Sequence, residues 1–139
     1  MTYLSMRIFR STKIYFMEYK NLDTLELYQM ACKFRRNITR LAGTFPKEEK
    51  FLLIAQIKDS VRSVTANIAE GYGRYYYQDS IKFYRISRGS LLETLDHLSS
   101  ALDENYLDET AFNDLKEDQA ILLKKLNSYI AYIKRLKET

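Results

Sequence analysis

Few side chains in this sequence could do chemistry. There is one histidine, His97, and one cysteine, Cys32. Glu93 and His97 stand four residues apart, the spacing at which side chains meet on a helix face, with Asp96 between them. One such pair falls short of the converging ligands that a metal requires. A di-metal carboxylate centre in a helical bundle would need inward glutamates on paired helices and two Glu-x-x-His motifs. Cys32 and His97 lack an evident third partner to orient them for nucleophilic catalysis, and no Gly-rich phosphate loop or G-x-S-x-G elbow occurs. Gly71-Tyr72-Gly73 is too short to cradle a nucleotide. The expectation is a protein without catalytic residues, metal or cofactor.

Two constellations suit binding instead. Lys33, Arg36 and Arg40 recur at spacings of three and four, forming one basic ridge on a helix. That ridge suits phosphate neutralisation, a solvated helix face, or a row of subunit-interface salt bridges. The second is NIAEGYGRYYYQD, residues 67 to 79. Here Asn67, Glu70 and Arg74 follow the same spacing, and Gly71 is expected at a helix C-terminus in left-handed conformation. Glu70 would sit in the last turn, where the helix dipole disfavours negative charge. Arg74 across the turn, or Arg88 from the next helix, would compensate it, making a polar clasp between helices. Tyr75, Tyr76 and Tyr77 beside Arg74 would stack on unpaired bases, fill a subunit interface, or pack the turn.

Long helices must position these residues, because one proline and four glycines leave little room for the turns of an all-β fold. Leu27, Ala31, Phe34, Ile38, Leu41 and Phe45 mark a first helix over about 23 to 42, ended by Gly43 and Pro46. Ile54, Ile57, Val61, Val64 and Ile68 mark a second, from about Lys47 to Gly71. Ile81, Tyr84, Arg88, Leu91, Leu95, Leu98 and Leu102 mark a third, with Arg88 the polar interruption of its core stripe. Asp108 is the expected N-cap of a fourth helix carrying Leu115, Leu122, Leu126, Tyr129, Ile133 and Leu136. Short connections between four amphipathic helices predict an all-α, antiparallel up-down-up-down four-helix bundle. Residues 17 to 139 form this domain. Residues 1 to 16 are a short N-terminal arm outside it, strand-like or disordered, or an extension from a start codon placed too far upstream of Met17.

Charge and hydropathy narrow the setting. The net charge is +4, but residues 1 to 16 hold Arg7, Arg10 and Lys13 and no acid; removing those three of the 22 basic residues leaves 19 against 18 acidic. No apolar run exceeds five residues, as in Phe51 to Ala55, far below the roughly 18 a membrane span needs. The basic residues of the arm interrupt any signal-peptide core, so a cytoplasmic protein without membrane contact is expected. Cys32, with no cysteine to pair with, fits a reducing compartment. Apolar or aromatic residues beyond the core stripes, such as Leu53, Phe83, Tyr84 and Leu92, call for a second surface and so for self-association.

The blocks MEYKNL, FPKEEKFLLIAQIKDSVRSVTANIAEGYGR and FYRISRGSLLETLDHL occur in this order. Together they resemble the four-helix-bundle family of proteins encoded in intervening sequences of bacterial 23S rRNA genes, itself similar to the accessory variability protein of diversity-generating retroelements. The resemblance covers residues 17 to about 136. It implies a bundle assembled as a ring-like homopentamer without known enzymatic activity, and, for the retroelement branch, association with RNA or DNA and with a reverse transcriptase through basic surface. The family's motif falls on Asn67, Glu70, Gly71, Gly73, Arg74, Arg88, Gly89, Ser90 and Glu93. The three tyrosines after Arg74 and the nearly neutral body depart from its pattern. The nucleic-acid contacts expected here are Lys33, Arg36, Arg40, Arg74, Tyr75, Tyr76 and Tyr77, in an accessory factor; the alternative is a structural or protein-partner module that binds no nucleic acid.

Overall fold

The computed structural model describes residues 21–74 and 76–138 with their side chains and, of the first twenty residues, the backbone of 4–10 and 13–19. The arm there forms two antiparallel strands, β1 (Leu4–Arg10) and β2 (Lys13–Tyr19), in register from Leu4 opposite Tyr19 to Arg10 opposite Lys13. Met17 therefore lies within β2. Four helices follow: α1 (Glu26–Ala42), α2 (Leu53–Tyr72), α3 (Tyr77–Asp103) and α4 (Glu109–Glu138). This is the all-α four-helix bundle expected from the periodicity, with the arm as its N-terminal appendage.

Each helix pairs antiparallel with the one before it. Arg35 of α1 bonds Thr65 of α2, Thr94 and Ser87 of α3 bond Ser60 and Val64 of α2, and Arg88 of α3 bonds Asn127 of α4. Lys125 of α4 reaches Glu26 of α1 at 2.9 Å and closes the ring. The core runs through its middle, with Leu27, Ile38, Ile57, Val61, Val64, Ile68, Leu91, Leu98 and Leu126 essentially sealed from solvent. Each such aliphatic side chain contributes about 1.5–3 kcal/mol by leaving water.

The stripes of α1 and α2 fall largely where the spacing places them, except that Ala42 is buried where Leu41 is only partly so, while α3 and α4 differ. Leu53 and Tyr84, expected beyond the core stripes, are buried within the core. In α3 the inward line is Ile81, Tyr84, Ser87, Leu91, Thr94, Leu98 and Ala101. Arg88 is thus half-buried beside the core line rather than on it, and Leu95 is displaced likewise. The cause is local chemistry: Ser87 and Thr94 have hydroxyls short enough to bond α2 inside the interface, so they enter the core in place of larger neighbours. In α4 Gln119 and Ile130 are buried, and Leu115, Tyr129 and Leu136 are only partly so.

Two helix starts, those of α4 and α2, have side-chain acceptors. Asp108 receives the Ala111 amide at 2.8 Å, the N-cap contact expected for α4. Helix α2 does not begin at Lys47. A 3-10 turn, Lys47–Glu49, follows Pro46, and α2 starts at Leu53, whose amide donates to the Glu49 carboxylate at 3.1 Å. The Tyr106 hydroxyl donates to the same carboxylate at 3.0 Å, tying the α3–α4 loop to the base of α2.

Candidate nucleic-acid interface

The α2–α3 interface is a seam of small polar groups, which Asn67 and Ser90 of the expected motif join. Ser87 Oγ donates to the Val64 carbonyl at 2.7 Å. Thr94 Oγ1 lies 2.8 Å from Ser60 Oγ. Ser63 Oγ and Ser90 Oγ are 2.8 Å apart, and Asn67 Nδ2 donates to both the carbonyl and the hydroxyl of Ser63. Asn67 and Ser90 therefore hold two helices together through one shared hydroxyl. Short side chains let the backbones approach closely, and buried hydroxyls that find partners avoid the cost of desolvated polar groups.

Gly71 belongs to this seam for a reason other than the one expected. Helix α2 continues through it to Tyr72, its cap is Gly73 in right-handed conformation, and among the described residues no glycine has positive φ. A Cβ on Gly71 would stand 2.7 Å from Tyr84 Cε1 and 3.0 Å from the Ser80 carbonyl. Glycine is needed here because α3 comes too near for any side chain, not because the backbone turns left-handed. Gly73 and Gly89 carry no such constraint; a Cβ on Gly89 would meet no described atom within 4 Å beyond its own stretch of helix.

Among the described residues the cation paired with Glu70 is Arg74. Their side chains pair across the end of α2, and the Arg74 guanidinium lies 4.5 Å over the Phe83 ring. Arg88, the other expected partner, instead donates to Asn127 Oδ1 at 3.0 Å, tying α3 to α4. Glu93 is exposed and meets His97 Nε2 at 3.3 Å. Among the described residues no group of three or more His, Cys, Asp or Glu is placed to hold a metal ion.

The tyrosines divide. Tyr75 lies outside the described residues. Tyr76, the residue before α3, is 65% exposed, whereas Tyr77 packs against the core. Tyr76 has the extended backbone of the residue that caps α3 while Tyr77 opens the helix, so the two rings do not share a face. Deeper in, Tyr84 meets Tyr129 edge-on at 5.2 Å, and burial pushes the Tyr129 hydroxyl up to about 12, with the Tyr84 hydrogen bond opposing.

Lys33, Arg36 and Arg40 are all exposed on α1. Beside them an open groove of about 480 Å³ runs between α1 and α2, lined by Tyr28, Arg35, Arg36 and Thr39 on one side and Arg62, Thr65, Ala66 and Ala69 on the other. Arg36 joins ridge to groove; Lys33 and Arg40 flank it. Arg35 and Arg62 escaped the sequence because they come from two helices, and no spacing within one helix relates them. The one signal in the sequence was Arg35 following Phe34, a charge placed immediately beside a core position.

What these features define is a four-helix-bundle protein whose α2–α3 corner is a structural seam and whose α1–α2 face is cationic. Among the described residues no helix is long and apolar enough to cross a membrane. The chain belongs to the 23S rRNA-intervening sequence protein family, whose model matches residues 23–128. A solved structure from Bacteroides thetaiotaomicron, of a protein of unknown function in the S23 ribosomal protein family, superposes with a TM-score of 0.69 at 25% identity. That match covers 75% of this chain and 97% of the other. No curated protein matches the chain significantly.

Proposed function

We propose that this protein is a non-catalytic cytoplasmic accessory factor that associates with RNA as a homo-oligomer, most simply the pentamer its family resemblance implies. One observation carries the RNA contact: five cations, Lys33, Arg35, Arg36, Arg40 and Arg62, gather on the α1–α2 face, and no residue lining its groove is acidic. A nearly neutral body makes this concentration informative, since binding depends on where charge sits rather than on its sum. Self-association is supported by apolar side chains left open on several helices, among them Ile86, Leu92, Ile121 and Tyr132.

The test is fluorescence anisotropy of a labelled single-stranded RNA with the full chain, at salt from about 50 to 200 mM. Affinity should fall linearly on logarithmic axes, because each phosphate that a cation neutralises releases counterions. Absent or salt-independent binding would overturn the proposal. Light scattering on the same sample should give a multiple of 16.5 kDa, and a monomer mass at all concentrations would remove the oligomer. The second reading, a protein-partner module, is favoured by Phe51 and Leu52 at the start of α2, 84% and 62% exposed. It would be supported if Phe51→Ser and Leu52→Ser changed neither RNA affinity nor mass but released a copurifying protein.

A further inference from the structure

We infer that the groove between α1 and α2 is a phosphate clamp, in which Arg35, Arg36 and Arg62 hold the sugar-phosphate backbone of single-stranded RNA. This rests on the RNA-associating function proposed above and assigns it a site.

The first argument is how Arg35 is held. Its Nη1 donates to Thr65 Oγ1 at 2.9 Å, and the Thr65 hydroxyl donates in turn to the Arg62 carbonyl at 3.1 Å. Thr65 is 3% exposed, so this anchor is rigid. A guanidinium fixed by neutral hydroxyls keeps its full charge and further N–H donors for an anion. Fixed by a carboxylate, it would be neutralised. None of the ion pairs among the described residues involves Arg35, Arg36 or Arg62; they lie at Glu70–Arg74, Glu93–His97 and Glu26–Lys125.

Shape supplies the second argument. Ala66 and Ala69 line the α2 side, so a ligand's backbone can come close to the helix, while Tyr28 and Thr39 add hydroxyls on the α1 side. The Tyr28 hydroxyl is engaged with the Cys32 thiol, which with partial burial holds its pKa above the ordinary value, against the pull of Arg35. It therefore stays a neutral hydroxyl at physiological pH and adds no negative charge to the groove. A volume of about 480 Å³ falls within the usual range for a small-ligand site.

The third argument separates a polymer from a free anion. The groove is open, and the cationic line continues past it along α1 through Lys33 and Arg40, one helical turn to either side of Arg36. A solitary phosphate needs no such continuation, whereas a strand carrying regularly spaced phosphates does.

Anisotropy with fluorescein-labelled oligouridine should resolve this, comparing the full chain with R36Q/R62Q and with K33Q/R40Q. Arg36 and Arg62 are exposed, so both double variants should keep the wild-type melting temperature. R36Q/R62Q should weaken binding by about tenfold and flatten the salt dependence by roughly 0.7 for each phosphate no longer held, while K33Q/R40Q should cost less. Arg62→Lys should restore only part of the affinity, since lysine keeps the charge but not the fork. If the wild type binds oligouridine and K33Q/R40Q alone weakens it, the groove assignment falls while the RNA function stands. Should the wild type bind inorganic tripolyphosphate in an Arg62-dependent way but no RNA, both the RNA occupant and the proposed function fall. Binding of neither probe refutes the clamp outright.

Discussion

Replacing Gly71 by alanine separates two opposing effects that the structure places at one residue. In the interior of a helix the change removes glycine's backbone freedom and should stabilise by about 1 kcal/mol. At Gly71 the new methyl would stand 2.7 Å from Tyr84 Cε1 and 3.0 Å from the Ser80 carbonyl. Neither neighbour yields easily. Tyr84 is 1% exposed with its ring edge-on to Tyr129, and the Ser80 oxygen belongs to the first turns of α3. Overpacking of this kind costs about 1–3 kcal/mol, so Gly71→Ala should end between neutral and about 2 kcal/mol destabilised. Gly89→Ala is the internal control: Gly89 lies mid-helix in α3, where an added Cβ meets no described atom within 4 Å beyond its own helix, and the change should stabilise by about 1 kcal/mol. Gly71 stands next to the end of α2, so its propensity gain is no larger than that of Gly89, and the difference between the two variants is chiefly the packing penalty. Thermal and urea melts at one fixed protein concentration should place Gly71→Ala at least about 3 °C below Gly89→Ala. Equal rises in both variants would show that α3 does not press on α2 at Gly71.

Arg88→Ala should cost no more than about 1 kcal/mol in urea denaturation, because Arg88 is half-buried and its bond to Asn127 is partly solvated; a loss of about 3 kcal/mol or more would indicate a buried charge pair. Gln119 is 3% exposed and its Nε2 has no hydrogen-bond partner among the described residues, so Gln119→Leu should raise the melting temperature by relieving a penalty of about 1–3 kcal/mol, and a fall would disprove the unsatisfied amide. Tyr129 has its pKa pushed up to about 12 from an unfolded value of 10.0, so its neutral form is favoured in the fold. Its contribution, at most about 2–3 kcal/mol, is complete below pH 10 and disappears as pH rises through 12. Stability curves of the wild type and Tyr129→Phe should therefore run parallel below pH 10, with the wild type losing more between pH 10 and 12; parallel curves throughout would contradict the shift.

Periodicity alone specified the four helices, since apolar residues at three- and four-residue spacing admit no other arrangement in a chain with one proline. It also placed the cores of α1 and α2, the Asp108 cap and the exposure of Lys33, Arg36 and Arg40, because each is a property of one helix and its neighbours in sequence. Relations between helices were decided by tertiary structure. Spacing favoured Arg88 and Leu95 for the core of α3, but close approach to α2 selected Ser87 and Thr94, whose short hydroxyls find partners there. Gly71 was legible as a required glycine, yet its reason, the ring of Tyr84 pressed against it, lies 13 residues away on another helix. The cationic groove was invisible for the same cause: Arg35 and Arg62 become neighbours only when α1 and α2 pack antiparallel, and the Thr65 hydroxyl that leaves Arg35 its charge is positioned by that packing.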